Sequence, residues 1–262
     1  MTGFLSLDVT AGVARLTFDN PRRLNAINAE MWRALPALLA QVESDRAVRV
    51  LVLQGAGDRA FCTGNDISEF ETIRADPAAA AAYNTLQHDV SQAFRGLTKP
   101  SIAAIHGYCL GAGFELALLC DMRACTPEAA FGVPAVSLGL PYRLTDIRTL
   151  VDVIGLARTR EMVLLGRRYG GRDAERMGLV NWLVTDRAAL DAAVSAAAAE
   201  MAAHAPLSLA AARIAFHELT RQDGPPDLAR AKDYADRCYA SRDYAEGRAA
   251  RREKRAPVFE GR

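Results

Sequence analysis

Apolar and polar residues alternate along two short stretches near the start of the chain, 4–10 and 13–19, which are separated by a glycine. Alternation with a period of two is typical of a strand buried on one face, and the short gap favours a hairpin. The run at 49–55 is almost continuously apolar, as in a strand covered on both faces. We therefore predict a hairpin followed by a buried sheet.

Helical periodicity begins at 29–45, and Asn28 is placed to cap the start of that helix. The first two thirds of the chain alternate strand-like and helix-like segments, whereas the pattern from residue 186 onward is helical. This order predicts an α/β protein with a helical C-terminal third and no sharp linker. The other predicted segments are helices within 78–97 and 111–120, and strands at 101–105, 122–126 and 178–185.

The composition is that of a globular protein, with 50% hydrophobic residues, 24% charged residues and a formal net charge of +1. This balance gives no electrostatic reason to expect nucleic acid or a membrane as partner. The five cysteines lack CxxC spacing, the four histidines lack metal-ligand spacing, and no signal peptide is evident. We expect a cytoplasmic protein with reduced thiols and with neither a metal nor a separate cofactor.

Two loops, 60–70 and 107–121, carry the strongest chemical signal. In the second loop Gly111, Ala112 and Gly113 open a predicted helix, so that free amides and the positive end of the helix dipole face whatever lies ahead. Such an arrangement can stabilise an anion or a developing oxyanion. Close helix packing is the alternative explanation of the small residues.

Glu115 is the acid within this otherwise small and apolar run. A carboxylate placed there must be hydrogen-bonded, have a shifted pKa or take part in chemistry. A buried acid bonded to a neighbouring loop is the structural alternative. Asp121, at the end of the run, is predicted to cap or brace a loop.

Together with the segments 15–28, 99–113 and 241–259, the two loops resemble the crotonase, or enoyl-CoA hydratase/isomerase, superfamily over nearly the whole chain. The resemblance implies a ClpP/crotonase-like α/β fold: a spiral of ββα units in 1–195, followed by a helical trimerisation region in 196–262. It also implies an acyl-CoA thioester as substrate and a homotrimer or homohexamer.

By the same resemblance, the backbone amides of Asn65 and Ala112 form the oxyanion hole, Glu115 is an acid/base, and Tyr142 contacts the acyl group. A turn residue at Asn65 and core packing at Tyr142 are the structural alternatives, and each arginine could be a solvated surface charge. The residues expected to bind the CoA thioester are Arg22, Arg23, Leu24, Thr63, Gly64, Asp66, Ile67, Gly111 and Lys254. Lys254 is expected to be supplied by a neighbouring subunit.

Hydratases of this superfamily carry a second glutamate directly after a proline, but here Ala135 follows Pro134. Adding water across a double bond needs one group to activate water and another to deliver a proton, so efficient hydration is in doubt. The segment 137–150 instead resembles the methylmalonyl-CoA decarboxylase branch, in which a tyrosine matching Tyr142 contacts the substrate. Against that branch, its members often carry an ionisable residue at the position of Asn65.

These features lead to an expectation of (methyl)malonyl-CoA-type decarboxylation, because an enolate formed by loss of CO₂ needs oxyanion donors but no base. One alternative is an enoyl-CoA hydratase or isomerase that uses Glu115 alone. The alternative of another class is a non-catalytic homologue that binds CoA, or RNA through the basic run at 248–255.

Overall fold

The computed structural model describes residues 3–262, so the first two residues of the predicted 1–195 core lie outside the described part. Two sheets are present, one of six strands in the order β1-β2-β3-β5-β7-β10 and one of four strands in the order β4-β6-β8-β9. The strands are β1 Phe4–Thr10, β2 Val13–Asp19, β3 Val50–Gly55, β4 Ala60–Cys62, β5 Ser101–Ile105, β6 Tyr108–Leu110, β7 Met122–Cys125, β8 Ala130–Gly132, β9 Tyr169–Gly170 and β10 Trp182–Leu183.

The predicted hairpin is confirmed: β1 and β2 pair antiparallel, and Ala11 and Gly12 turn between them with φ of 49° and 80°. The remaining neighbours in the six-stranded sheet pair in parallel. Asn28 caps the first helix as predicted, because its side chain accepts a hydrogen bond from the Met31 amide. The helices are α1 Ala29–Ser44, α2 Phe70–Ile73, α3 Pro77–Gly96, α4 Gly111–Leu119, α5 Leu144–Leu165, α6 Gly171–Arg176, α7 Arg187–Ala203, α8 Pro206–Leu219, α9 Leu228–Tyr239 and α10 Arg242–Glu253.

A ββα unit repeats three times along the chain. In each unit one strand joins the large sheet, the next joins the small sheet, and helices follow: β3 and β4 precede α2 and α3, β5 and β6 precede α4, and β7 and β8 precede α5. This repeat is the predicted spiral. The short strands of the small sheet were not predicted, because strands of two or three residues are too short to show a period. Helix α5 was not predicted from the hydrophobic pattern either.

Helix α7 covers one face of the large sheet. Leu190, Val194 and Ala198 of α7 are fully buried in a cluster with the strand residues Val50 and Ile102. The Ala-rich helix therefore buries its apolar stripe within its own chain. The predicted boundary at residue 195 falls inside α7, which packs with the core.

Asp121, predicted to cap or brace a loop, joins the start of β5 to helix α8. Its Oδ2 accepts hydrogen bonds from the amide and hydroxyl of Ser101 at 2.7 and 2.8 Å, and from Nε of Arg213 in α8 at 3.0 Å. Within residues 3–262, none of the helices combines the length and the apolar character needed to cross a lipid bilayer.

Candidate active site

Glycines bring the two predicted loops into contact. Gly64 has a φ of +92°, and a Cβ atom placed on it would lie 3.0 Å from the Ala112 amide nitrogen. A Cβ on Gly113 would lie 2.6 Å from Sγ of Cys62, so a side chain at either glycine would force the loops apart. Close packing and a functional role for these glycines are therefore compatible, because the close packing is what brings the two amides together.

The amide of Asn65 is directed away from its neighbouring loop. Ile27 donates its amide hydrogen to the Gly64 carbonyl at 2.7 Å and accepts from the Asp66 amide at 2.9 Å, a parallel bridge centred on Asn65. In such a bridge the central residue's own N–H points to the opposite side. Ala112 is the second residue of α4, where amides have no partner within the helix. Both residues line one cavity, so both amides are available to an oxyanion there.

The side chain of Asn65 has a separate, structural role. Its Oδ1 accepts hydrogen bonds from Nε1 of Trp32 at 2.9 Å, from the Tyr83 hydroxyl at 3.0 Å and from Nε2 of Gln87 at 2.7 Å. These three donors come from α1 and α3 and fix the loop that presents the amide. One sign of this arrangement is visible in the sequence, because Tyr83 and Gln87 are four residues apart and therefore share a face of α3.

The cavity encloses about 820 Å³ of open space. Asn65, Ala112 and Glu115 all line it. Ala135, which the resemblance places at the position of the second hydratase carboxylate, also lines the cavity. Other lining residues come from three segments: Thr63, Ile67, Phe70 and Arg74; Asn84 and Gln87; and Val133, Pro134, Leu138, Leu140, Pro141, Tyr142, Arg143 and Asp146.

Glu115 has a pKa of about 7, well above the ordinary value for a glutamic acid. Burial is the main cause, since only 22% of the side chain is exposed, and the negative charge of Asp146 adds to it. Arg143 and Arg74 act in the opposite direction but do not overcome burial. A carboxyl group with this pKa can both accept and donate a proton near neutral pH.

Arg143 and Asp146 form an ion pair beside Glu115. Nε and Nη2 of Arg143 donate to the two carboxylate oxygens of Asp146 at 2.7 and 3.2 Å. Nη2 also lies 3.7 Å from Oε2 of Glu115. Asp146 is therefore a carboxylate in the cavity wall that the sequence did not place there. Because Arg143 occupies both of its oxygens, Asp146 does not substitute for the missing glutamate.

The hydroxyl of Tyr142 is buried beside the Glu115 carboxylate, and among residues 3–262 it forms no hydrogen bond of ordinary geometry. Burial and the nearby Glu115 carboxylate both raise the pKa of Tyr142 above its ordinary value, so the phenol is neutral. An unpartnered buried hydroxyl is costly unless something else satisfies it. The structure thus brings Tyr142 into the cavity with Asn65, Ala112 and Glu115.

The other predicted binding residues fall into two groups. Thr63, Ile67 and Gly111 line the cavity, and Gly64 joins the two loops. Near its edge, Nη1 of Arg23 lies 3.6 Å from Oδ1 of Asp66, and the Thr63 hydroxyl donates to the Leu24 carbonyl at 3.2 Å. The residues among them that do not line the cavity in the described chain are Arg22, Arg23, Leu24, Gly64, Asp66 and Lys254. Lys254 is exposed and follows α10.

A second, smaller cavity of about 420 Å³ also borders Glu115. Its lining is mostly polar and comes from α3, α4 and α5, with Gln222. Glu115, Arg143 and Asp146 line both cavities. In the described residues, no three His, Cys, Asp or Glu side chains are grouped as metal ligands.

Comparison with known proteins agrees with this geometry. A family model described as enoyl-CoA hydratase/isomerase matches residues 8–262. The human mitochondrial protein enoyl-CoA hydratase domain-containing protein 2 is 32% identical over 258 residues, which cover 96% of this chain and 86% of that protein. The short-chain-enoyl-CoA hydratase of Clostridium acetobutylicum is 28% identical over 249 residues, which cover 95% of this chain and 94% of that protein.

Among solved structures, an enoyl-CoA hydratase/carnithine racemase from Magnetospirillum magneticum superimposes with a TM-score of 0.92 at 37% sequence identity. The match covers 98% of this chain and 96% of that one. The spiral architecture described above is therefore shared across the full length of both chains.

Proposed function

The chain belongs to the enoyl-CoA hydratase/isomerase family, and we propose that it moves the double bond of an enoyl-CoA thioester with Glu115 as its single acid/base. The observation that carries this proposal is the pairing of one proton-transferring carboxyl group, with a pKa of about 7, with Ala135 at the place of the second carboxylate. The relatives named as hydratases favour enoyl-CoA chemistry, hydration or isomerisation, over decarboxylation.

In this reaction Glu115 removes a proton from C2 of a 3-enoyl thioester, and the electron pair delocalises into the thioester carbonyl. The amides of Asn65 and Ala112 donate to the resulting dienolate oxygen. The protonated Glu115 then delivers the proton to C4, and the electron pair returns to form the C2–C3 double bond. Each amide donor typically contributes about 10²–10³ in rate.

The remaining parts of the proposal concern binding and assembly. The loop at 22–24 and the segment 63–67 would hold the CoA portion, with Lys254 supplied by a neighbouring subunit and no separate cofactor. A homotrimer or homohexamer in the cytoplasm is proposed, because large apolar side chains on the C-terminal helices are exposed. These are Phe216, Leu219, Leu228 and Tyr239, which are 63 to 76% accessible.

Decarboxylation of a (methyl)malonyl-CoA thioester is the second candidate. It is favoured by the unpartnered hydroxyl of Tyr142, which faces the cavity where a substrate carboxylate or thioester could satisfy it. It also needs no base, because loss of CO₂ itself supplies the enolate electron pair.

Three substrates assayed in parallel test the proposal: 3-hexenoyl-CoA for isomerisation, crotonyl-CoA for hydration and malonyl-CoA for release of CO₂. We expect isomerisation to be fastest, and Glu115→Gln to lower it by about 10²–10⁴. Release of CO₂ without isomerisation would instead establish the second candidate. Hydration without isomerisation would show that another residue replaces the missing glutamate.

A further inference from the structure

Arg74 is a cation in the cavity wall to which neither the sequence pattern nor the proposed reaction assigns a role. It follows α2, and its guanidinium carbon lies 5.1 Å from the ring centres of both Phe70 and Tyr83. Contacts of this kind hold the plane of a guanidinium group in a fixed orientation. Arg74 is thus positioned as rigidly as the catalytic loop, to which Tyr83 connects it through Asn65.

The guanidinium of Arg74 is poorly satisfied. Among residues 3–262, its one hydrogen bond joins Nη2 to Oδ1 of Asn84 at a long 3.3 Å, and its Nε is buried with no partner. No carboxylate of the described chain lies within 4 Å of it. Burial lowers the pKa of Arg74 below its ordinary value. An arginine has five donors, so this one enters the cavity wall with most of its hydrogen-bonding capacity unused.

The other charges around the cavity are already balanced. Arg143 is paired with Asp146 through two hydrogen bonds, and Glu115 is close to half-protonated at neutral pH. Arg74 is half-buried and its Nε is out of contact with water, so the loss of hydration costs free energy that a closely bound anion would recover. The apolar neighbours Ile67 and Phe70 would strengthen such an ion pair by excluding water.

We propose that Arg74 binds a carboxylate at the distal end of the acyl group, so that the preferred ligands are CoA thioesters of dicarboxylic acids. This inference rests on the proposed function only in that the acyl group occupies this cavity. The carboxylate contributes to binding and is not lost in the reaction. An ion pair stabilises it in the ground state, which would slow its loss as CO₂.

Binding of saturated thioesters tests the inference. Glutaryl-CoA is compared with pentanoyl-CoA, and adipyl-CoA with hexanoyl-CoA, by isothermal titration calorimetry on the wild type, Arg74→Gln and Arg74→Lys. Arg148→Gln is the matched control, since Arg148 is an exposed arginine of α5 outside the cavity. None of these ligands has a double bond, so the result does not depend on whether isomerisation occurs.

We expect the wild type to bind at least one dicarboxylic thioester about tenfold more tightly than its uncharged counterpart, as for one well-placed charged hydrogen bond. Arg74→Gln should remove most of that preference while changing the binding of the uncharged ester less than twofold. Arg74→Lys should retain part of it, because it keeps the charge but loses the planar fork. Arg148→Gln should behave as the wild type.

Two results would overturn the inference. Equal binding of both members of every pair by the wild type would show that the cavity has no receptor for a distal carboxylate. An equal weakening of all esters in Arg74→Gln, in a variant whose melting temperature matches the wild type, would mean that Arg74 contacts the CoA portion instead. In that case free CoA would be weakened by the same factor.

Discussion

Nη2 of Arg143 lies 3.7 Å from Oε2 of Glu115, while the same guanidinium group binds both oxygens of Asp146. The positive charge nearest to the acid/base is thereby largely neutralised by a second carboxylate. Burial is the main cause of the raised pKa of Glu115, and this pairing limits how far Arg143 can lower it. Arg143 lowers the pKa of Glu115 and Asp146 raises it, so their effects on that pKa partly cancel.

The first prediction concerns the pH dependence of isomerisation. As a base Glu115 must be ionised, so kcat/KM should rise with pH through an apparent pKa of about 7. Arg143→Gln removes a cation and frees the charge of Asp146, and both changes raise the pKa of Glu115. The profile should move upward by about one pH unit or more, as measured by initial rates between pH 5 and 9. An unchanged apparent pKa in Arg143→Gln would show that Arg143 does not influence the group that titrates in kcat/KM.

The same titration affects stability. Between the ordinary pKa of 4.5 and the folded-state value of about 7, the folded protein holds a proton that the unfolded chain has released. The contribution of Glu115 to the free energy of unfolding is thus fully present below pH 4.5 and is lost as the pH rises to about 7. The loss is about 3 kcal/mol at most. Denaturant unfolding of Glu115→Gln should lack this component.

The second prediction separates the side chain of Asn65 from its amide. From the sequence alone, Asn65→Ala would keep most activity because the amide remains. The structure changes that expectation, since alanine leaves three donors without their acceptor. We expect Asn65→Ala to lose about 3 kcal/mol of stability. Asn65→Asp keeps an acceptor and should lose clearly less. Equal melting temperatures for the two variants would contradict the bracing role.

The third prediction restores the missing carboxylate. Ala135 lines the cavity, so Ala135→Glu places an acid opposite Glu115. Hydration of crotonyl-CoA should rise by tenfold or more, because a second proton-transferring group becomes available. Ala135→Gln is the matched control of equal size and should give no increase. A rise with both variants would point to a packing effect rather than to acid/base chemistry.

The fourth prediction uses the unpartnered hydroxyl of Tyr142. Tyr142→Phe breaks no hydrogen bond in the described chain, so the melting temperature should be unchanged or slightly higher. If the hydroxyl binds the acyl group, kcat/KM for the preferred substrate should nevertheless fall about tenfold, as for loss of one hydrogen bond. Unaltered kinetics would leave Tyr142 as packing alone.

The features of the site that the sequence predicted are those encoded locally. Gly111, Ala112 and Gly113 start a helix because of their own backbone preferences, and Glu115 follows one turn later on that helix. Its acidity within an apolar run was enough to single it out. The hairpin and the Asn28 cap were predictable for the same reason.

The residues that surround Glu115 were not predictable in this way. Arg74, Arg143 and Asp146 come from segments separated by about 70 positions, and nothing in the local pattern of an arginine says which cavity it lines. The bracing of Asn65 needs donors from two other helices. The packing of helix α7 on the large sheet was not predictable either, because composition does not reveal which surface of the chain covers an apolar helix face.

Glu115 is reachable from two cavities, and this has an isotopic consequence. When a thioester fills the larger cavity, Glu115 still borders the second, polar cavity. Water in that second cavity can exchange the proton that Glu115 has taken from the substrate. In D₂O, isomerised product should therefore carry solvent deuterium at C4, as detected by mass spectrometry. The hydrogen delivered to C4 would then come from solvent and not from C2 of the same substrate molecule.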